Sequence, residues 1–156
     1  MRWVVVVIGD SPSAELITYL EKTHAPFILS EDMSPFDAHK KYKGYDYIIC
    51  MNCNCVPTKD CIPLDELFKF DKINVAWDSY GRNYPHKTSV RYSTDLIGIP
   101  ASAAHITAIP DKDLYILPKT VNVSEGFLET HAAHILNIKK RTAFVKFYNC
   151  LTGAYT

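Results

Sequence analysis

The chain has 156 residues, of which 47% are hydrophobic and 12% aromatic, enough for one globular domain with a buried core. Its 17 basic and 17 acidic residues cancel, so the basic surface that binds nucleic acid is not expected. The longest apolar run, Trp3–Ile8, is too short for a membrane span and comes too early for a signal peptide, so we expect a cytoplasmic protein with no membrane partner.

The first half of the chain alternates between strand and helix signals. Apolar runs at residues 3–8, 27–29, 45–51 and 73–77 predict strands, and the first of them has the continuous pattern of a strand buried on both faces. Helices are predicted to begin at Ser11, which Pro12 follows, at Ser34, and over residues 63–70. Strands that alternate with helices predict a mostly parallel sheet flanked by helices.

The second half has a different pattern. Between residues 80 and 123 the apolar stretches are short and interrupted by Pro, Gly, Asp and Lys, which predicts loops and short strands, some of them antiparallel. Ser124 is predicted to cap a helix that extends to about Ile138, and residues 142–148 are predicted to form a closing strand. The expected fold class is α/β, a single domain over residues 1–156 with an irregular β-rich second half.

Polar residues follow each predicted strand, at the edge where open parallel sheets bind ligands and where helix N-termini favour anions. They are Gly9, Asp10 and Ser11, then Glu31 and Asp32, then Asn52 and Asn54, then Asp78, Ser79 and Tyr80. The leading prediction is a small phosphorylated, nucleotide-like ligand at this edge. The amides of Ser11 and Ser13 and the Ser11 hydroxyl would contact phosphate, and Glu31 would contact a ribose hydroxyl. Asp78, Tyr80 and His86 are predicted to carry the chemistry, if the protein is an enzyme.

Residues 4–32, VVVVIGDSPSAELITYLEKTHAPFILSED, resemble the opening β-α-β unit of FAD- and NAD-binding Rossmann proteins. In those proteins a Gly-x-Gly-x-x-Gly turn is followed about 20 residues later by an acidic residue that binds ribose. Gly9 stands at the first glycine, Ser11 at the second, Ala14 at the third, and Glu31 at the acidic position. The resemblance implies a small three-layer Rossmann-like domain that binds a nucleotide.

A second resemblance concerns the same turn. Gly9-Asp10-Ser11 is similar to the nucleophile block of GDSL-type hydrolases, which implies Ser11 as the nucleophile and Asn52 or Asn54 as an oxyanion donor. That family places an aspartate two residues from a histidine near the C-terminus. This chain has His131-Ala132-Ala133-His134 instead, so another acid would have to orient the imidazole.

Two His-x-Thr elements, at His86 and His105, resemble those of two-histidine phosphoesterases, in which paired imidazoles act as acid and base on one phosphate. A small serine-type or phosphodiester hydrolase is therefore the alternative enzyme. A non-enzymatic interaction or assembly protein is the third possibility. It would use exposed tyrosines to form a homo-oligomer or to bind a protein partner, and the candidates are Tyr80, Tyr84, Tyr92 and Tyr148.

Four of the five cysteines lie between residues 50 and 61. An odd number of cysteines without a secretion signal predicts reduced thiols. The cluster could instead form a zinc site, or provide a reactive thiolate at Cys53 or Cys55. The sequence identifies no particular cofactor or metal.

Overall fold

The computed structural model describes residues 1–59, 61–77, 92–103, 106–124 and 134–138. The helices are α1 (Ala14–Lys22), α2 (Pro35–Lys41) and α3 (Leu64–Leu67). The strands are β1 (Trp3–Ile8), β2 (Phe27–Ser30), β3 (Tyr47–Asn52), β4 (Cys55–Pro57), β5 (Ile73–Trp77), β6 (Tyr92–Pro100), β7 (Leu114–Ile116), β8 (Val121–Ser124) and β9 (Ile135–Asn137). The predicted alternation of strands and helices in the first half is confirmed, with β4 as an additional short strand.

Six strands form one mixed sheet in the order β2-β1-β3-β6-β5-β7. β1 pairs in parallel with β2 and β3, and β5 pairs in parallel with β7. β6 runs antiparallel to both of its neighbours, β3 and β5. The parallel arrangement expected for the first half is therefore interrupted, because a strand from the second half lies between β3 and β5. The fold is mixed α/β.

The helix starts follow from hydroxyl caps. Ser13, in extended conformation, accepts a hydrogen bond from the Leu16 amide at 3.1 Å, so α1 begins at Ala14 and the predicted start at Ser11 is wrong. Ser34 caps α2 as predicted, accepting from the Asp37 amide at 3.1 Å, with Pro35 in the first turn. A side-chain oxygen within reach of a first-turn amide decides each boundary.

A second sheet has the order β4-β9-β8. The helix predicted from Ser124 to Ile138 is wrong at both ends, because Ser124 ends a strand and Ile135–Asn137 is a strand. β9 pairs in parallel with β8 and antiparallel with β4, and these long-range pairings prevail over the local helical pattern. The closing strand predicted at residues 142–148 lies outside the described residues.

The central strands of the large sheet are buried on both faces. Val5 and Val7 of β1 belong to the apolar core that contains Leu16 and Leu20 of α1, whereas alternate residues of the strand belong to the core that contains Ala38 of α2. This explains why β1 is a continuous apolar run. None of the helices in the described part of the chain is long and apolar enough to cross a membrane.

Candidate functional site

Three predicted site residues meet at one edge of the large sheet. Ile8, the last residue of β1, is in register with Ser30 of β2 and with Asn52 of β3. The residues that follow, Gly9 and Glu31, therefore lie beside Asn52 at the carboxyl ends of three neighbouring strands. Backbone bonds fix this edge, since the Gly9 amide donates to the Ser30 carbonyl at 3.1 Å.

In the turn after β1, exposed residues precede the buried serine that caps α1. Asp10 and Ser11 are exposed, so the Ser11 hydroxyl can be reached from solvent. Ser13 is buried, and its hydroxyl also donates to the Cys55 carbonyl at 3.3 Å while it caps α1. Glu31 is exposed as well. The structure thus leaves Ser11, and not the hydroxyl of Ser13, available for contact with a ligand.

A side-chain hydrogen bond stabilises the turn after β3. Asn52 Oδ1 accepts a hydrogen bond from the Asn54 amide at 2.9 Å, and the Cys53 amide donates to the Ile8 carbonyl at 2.8 Å. Both asparagines are half-buried. These bonds hold the end of β3 against the end of β1, which fixes where the Asn52 side chain stands.

The predicted chemical residues Asp78, Tyr80 and His86 lie outside the described residues, as do His105 and His131. His134 is described, and its Nδ1 is hydrogen-bonded to the Thr120 hydroxyl at 2.7 Å. The roles assigned to these residues from the sequence stay predictions.

A cavity of about 230 Å³ opens between the start of α2 and the ends of β1 and β3. Its polar lining consists of Asp32, Ser34, Asn52, Thr94 and Asp95, and its apolar lining consists of Ile8, Met33, Pro35 and Phe36. Of the residues predicted to contact a ligand, Asn52 lines this cavity. Asp32 lines it in place of its neighbour Glu31.

Sequence reasoning missed Thr94 and Asp95 because they lie on β6, whose position beside β3 is set by long-range pairing. β6 runs antiparallel to β3, so the beginning of β6 reaches the same edge as the carboxyl end of β3. A signal was present: Asp95 is a charged residue at the head of the apolar run Leu96-Ile97-Gly98-Ile99. A carboxylate in such a run needs either a hydrogen-bond partner or a ligand.

The charge of the cavity restricts what it can hold. Two acidic residues, Asp32 and Asp95, line it, and no lysine or arginine is among the described residues that line it. Carboxylates accept hydrogen bonds from hydroxyl and amine groups and repel a phosphate that no cation neutralises. The cavity therefore suits a hydroxyl-bearing group better than a bare phosphate.

Most of the cysteine cluster is inert. Burial raises the pKa of the Cys50 thiol to about 12 and that of Cys61 to about 11, and it raises the pKa of the fully buried Cys55 as well. A reactive thiolate at Cys55 is therefore not supported. Cys53 is half-buried at the edge of the sheet. Within the described ranges, no group of three His, Cys, Asp or Glu side chains is arranged to hold a metal ion.

We expect maleimide at pH 8 to label Cys53 before Cys50, Cys55 and Cys61 in the native protein. The buried thiols should react at least about a hundredfold more slowly, because a pKa raised by two units lowers the thiolate fraction by that factor. Peptide mass mapping over time measures each site, and denatured protein is the control in which all sites react. Labelling of Cys55 as fast as that of Cys53 would contradict the prediction.

No family model matches this sequence, and no curated protein matches it significantly. Similar solved structures include A197 from STIV, which has 12% identity and a TM-score of 0.53 over 76% of this chain and 83% of that chain. They also include a glycosyltransferase involved in the glycosylation of the major capsid of PBCV-1, with 8% identity and a TM-score of 0.58 over 92% of this chain and 97% of that chain. At these identities the similarity shows the fold alone.

Proposed function

We propose that this protein binds a nucleotide-like or otherwise phosphorylated small molecule at the carboxyl ends of β1, β2 and β3. The observation that carries the proposal is the cavity at this edge, with Asn52 and Asp95 in its wall. Open α/β sheets bind ligands outside the carboxyl ends of their strands. The mostly parallel, Rossmann-like layering belongs to the same proposal, and the parallel pairing of β1 with β2 and β3 supports it.

The cavity would hold one part of such a ligand. Its volume of about 230 Å³ is below the range of about 300–1,000 Å³ that is usual for drug-sized ligands. The phosphate would lie outside it, at the turn from Gly9 to Ser11. There the exposed Ser11 hydroxyl and the start of α1 offer hydrogen bonds and the positive end of a helix dipole. Glu31, exposed after β2, would accept from a ribose hydroxyl.

The glycosyltransferase among the structural neighbours favours a nucleotide sugar as this ligand. A sugar joined to a nucleoside diphosphate carries the phosphates that the turn would hold and the hydroxyls that the cavity would hold. In a transfer reaction, an acceptor hydroxyl oxygen would bond to the anomeric carbon of the sugar, its proton would pass to a base such as His86, and the nucleoside diphosphate would leave with the electrons of the broken bond. Asp78, Tyr80 and His86 keep their proposed chemical role in such a reaction.

The hydrolase and the interaction protein stay predictions. A hydrolase needs a histidine near Ser11, and His86, His105 and His131 lie outside the described residues. An interaction protein needs exposed tyrosines, and among its candidates Tyr92 alone is described, half-buried against Trp77 with ring centroids 5.7 Å apart. Neither function is favoured by a specific observation.

We expect a thermal-shift panel to show stabilisation by a nucleoside diphosphate or nucleotide sugar. The probes are uridine, adenosine and guanosine diphosphates, UDP-glucose, NAD, cyclic AMP and glucose 1-phosphate, each with and without Mg²⁺. A probe at a hundred times its Kd stabilises the protein by about 2.7 kcal/mol, which corresponds to roughly 5–10 °C in Tm for a chain of this size.

A matched pair of variants locates the bound probe. Asp32→Asn removes a carboxylate from the cavity wall, whereas Asp37→Asn removes an exposed one nearby that does not line the cavity. We expect the shift to fall by half or more in Asp32→Asn and to persist in Asp37→Asn. The proposal is wrong if no probe shifts Tm, or if both variants retain the wild-type response.

A further inference from the structure

A chain of buried amides connects Asp95 to the end of β5. Asn137 Nδ2 donates to Asp95 Oδ2 at 2.7 Å and to Asn122 Oδ1 at 3.0 Å. Asn122 Nδ2 in turn donates to the carbonyl of Trp77 at 3.1 Å. Asn122 is 3% exposed and Asn137 is 5% exposed. We call this set of bonds the amide relay.

The relay can be assembled in one orientation only. Both of the bonds that Asn137 donates end on acceptors, a carboxylate oxygen and an amide oxygen. If the Asn137 amide were flipped, its own oxygen would face these two acceptors, and both hydrogen bonds would be lost. The side chain of Asn137 therefore fixes the Oδ2 atom of Asp95 in one place.

The second sheet supplies the support for this arrangement. Asn137 is the last residue of β9 and is in register with Cys55 of β4, and the following residue, Ile138, donates its amide to the Asn54 carbonyl at 2.9 Å. The same short segment thus contacts the turn after β3 through its backbone and the cavity wall through Asn137.

The relay contains one tolerated feature and one unfavourable feature. Asn122 has a φ of 64°, a left-handed conformation that asparagine adopts more readily than other residues with a side chain. Asn137 Oδ1 is buried, and none of the described residues donates a hydrogen bond to it. Unsatisfied buried polar atoms of this kind are rare in folded proteins, and a role at a functional site is one explanation for them.

We propose that Asn137, held by Asn122, is a positioning residue that fixes the Asp95 carboxylate to accept hydrogen bonds from sugar hydroxyls of the bound ligand. This inference rests on the proposed function and assigns the cavity to the uncharged, polyhydroxylated part of the ligand. That part is the ribose of a nucleotide or the transferred sugar of a nucleotide sugar. Asp95 and Asp32 both line the cavity, and no basic residue is in its described lining, which supports this assignment.

Calorimetric titration distinguishes the two sources of hydroxyl groups. The ribose arm compares uridine diphosphate with 2′,3′-dideoxyuridine diphosphate, and the sugar arm compares UDP-glucose with uridine diphosphate. Guanosine and adenosine series are titrated in parallel. In the wild type, one arm should show at least a tenfold loss of affinity when the hydroxyls are absent, since hydrogen bonds to a charged group are the stronger kind. We call the ratio of the affinity for the probe with the hydroxyls to the affinity for the probe without them the hydroxyl preference.

The variants test the relay. Asp95→Ala and Asn137→Ala should both reduce the hydroxyl preference to about twofold or less while the dideoxy or sugar-free probe keeps its affinity within threefold. Asn122→Gly is the second relay variant, because it permits the left-handed backbone while it removes the side-chain amide. Asn74→Ala is the matched control: Asn74 is also a buried asparagine with several hydrogen bonds, but it lies near the beginning of β5, away from the cavity. It should lose stability and retain the preference.

A spectroscopic measurement tests the relay without a ligand. In the ¹⁵N spectrum, the side-chain NH₂ signals of Asn137, assigned by their loss in Asn137→Ala, should move and exchange faster with solvent in Asp95→Ala. Unmoved signals would overturn the relay.

A wild-type hydroxyl preference near one, or a preference retained in Asn137→Ala and Asn122→Gly, would overturn the inference while leaving the proposed function in place. If no probe in any series binds, the proposed function fails, and the ligand role of Asp95 fails with it.

Discussion

Replacing Gly9 with valine should destabilise the protein by about 2–5 kcal/mol and abolish ligand binding at the edge of the sheet. Gly9 has a φ of 127°, a conformation that residues with a side chain rarely adopt. A Cβ at this position would lie 2.9 Å from the Cβ of Cys53 and closer still to its Sγ. Cys53 cannot easily withdraw, because its amide is bonded to the Ile8 carbonyl.

Urea denaturation measures this effect as a lower midpoint at unchanged m. Gly44→Val is the matched control, since a Cβ at Gly44 meets no atom within 4 Å, and we expect a change of at most about 0.5 kcal/mol there. Cys53→Gly combined with Gly9→Ala separates the two causes, because it relieves the contact and leaves the backbone strain. Equal stability of Gly9→Val and Gly44→Val would show that the close approach of Gly9 to Cys53 has no energetic importance.

The first half of the chain could be predicted from local signals. β1, β2, β3 and β5 are short apolar runs, and the α2 start is marked by Ser34 and Pro35. The start of α1 was misplaced because Ser11 and Ser13 both have a hydroxyl suited to capping. The bond from the Leu16 amide to Ser13, which decides between them, is visible only in three dimensions.

Long-range pairing explains the errors in the second half. β6 is inserted between β3 and β5, and β9 pairs with β4, about 80 residues earlier in the chain. The apolar residues of Ile135-Leu136-Asn137-Ile138 fit a helix as well as a strand, because the run is too short for its period to be distinguished. Pairing with β4, which is distant in sequence, makes this segment a strand.

The candidate site was predictable to the same extent as the strands that form it. Asn52 stands at the end of a predicted strand, and the structure places it in the cavity wall. Asp95 and Asn137 were not predicted, since they come from β6 and β9. A polar residue within or directly before a short apolar segment was the available signal in both cases, because the strand places such a residue where it is partly or fully buried and requires a partner. The hydrogen bond from Asn137 Nδ2 to Asp95 Oδ2 satisfies part of that requirement.

Replacing Asn74 with alanine should lower the free energy of unfolding by about 2–4 kcal/mol. Asn74 is completely buried in β5, and its Oδ1 accepts from the Lys69 amide at 2.9 Å. Its Nδ2 donates to the carbonyls of Lys69 at 2.6 Å and Lys72 at 2.8 Å, and to the hydroxyl of Tyr47. Alanine would remove the hydrogen bonds that Asn74 makes, including the one that accepts from the Lys69 amide, and would leave a small cavity in the core.

The hydroxyl of Tyr47 cannot move to compensate. Burial raises the pKa of Tyr47 far above its ordinary value, so the phenol stays protonated, and it donates to the Lys72 carbonyl at 2.9 Å. The ring is also confined by β6, where a Cβ at Gly98 would lie 2.8 Å from Tyr47 Cε1. Tyr47→Phe should therefore cost less, about 1–1.5 kcal/mol, because it removes only the hydroxyl.

A double-mutant cycle in urea measures the coupling between Asn74 and Tyr47. We expect the double variant to be about 0.5–1.5 kcal/mol more stable than the sum of the single effects predicts, since the two side chains share one hydrogen bond. Additive effects would mean that this bond contributes nothing. Asn74→Ala within 0.5 kcal/mol of the wild type would mean that the polar groups around it find other partners. Asn74 lies near the beginning of β5, whereas Trp77, whose carbonyl accepts from the relay, ends this strand. Asn74→Ala therefore shows whether a loss of stability alone, without a change in the relay, alters ligand binding.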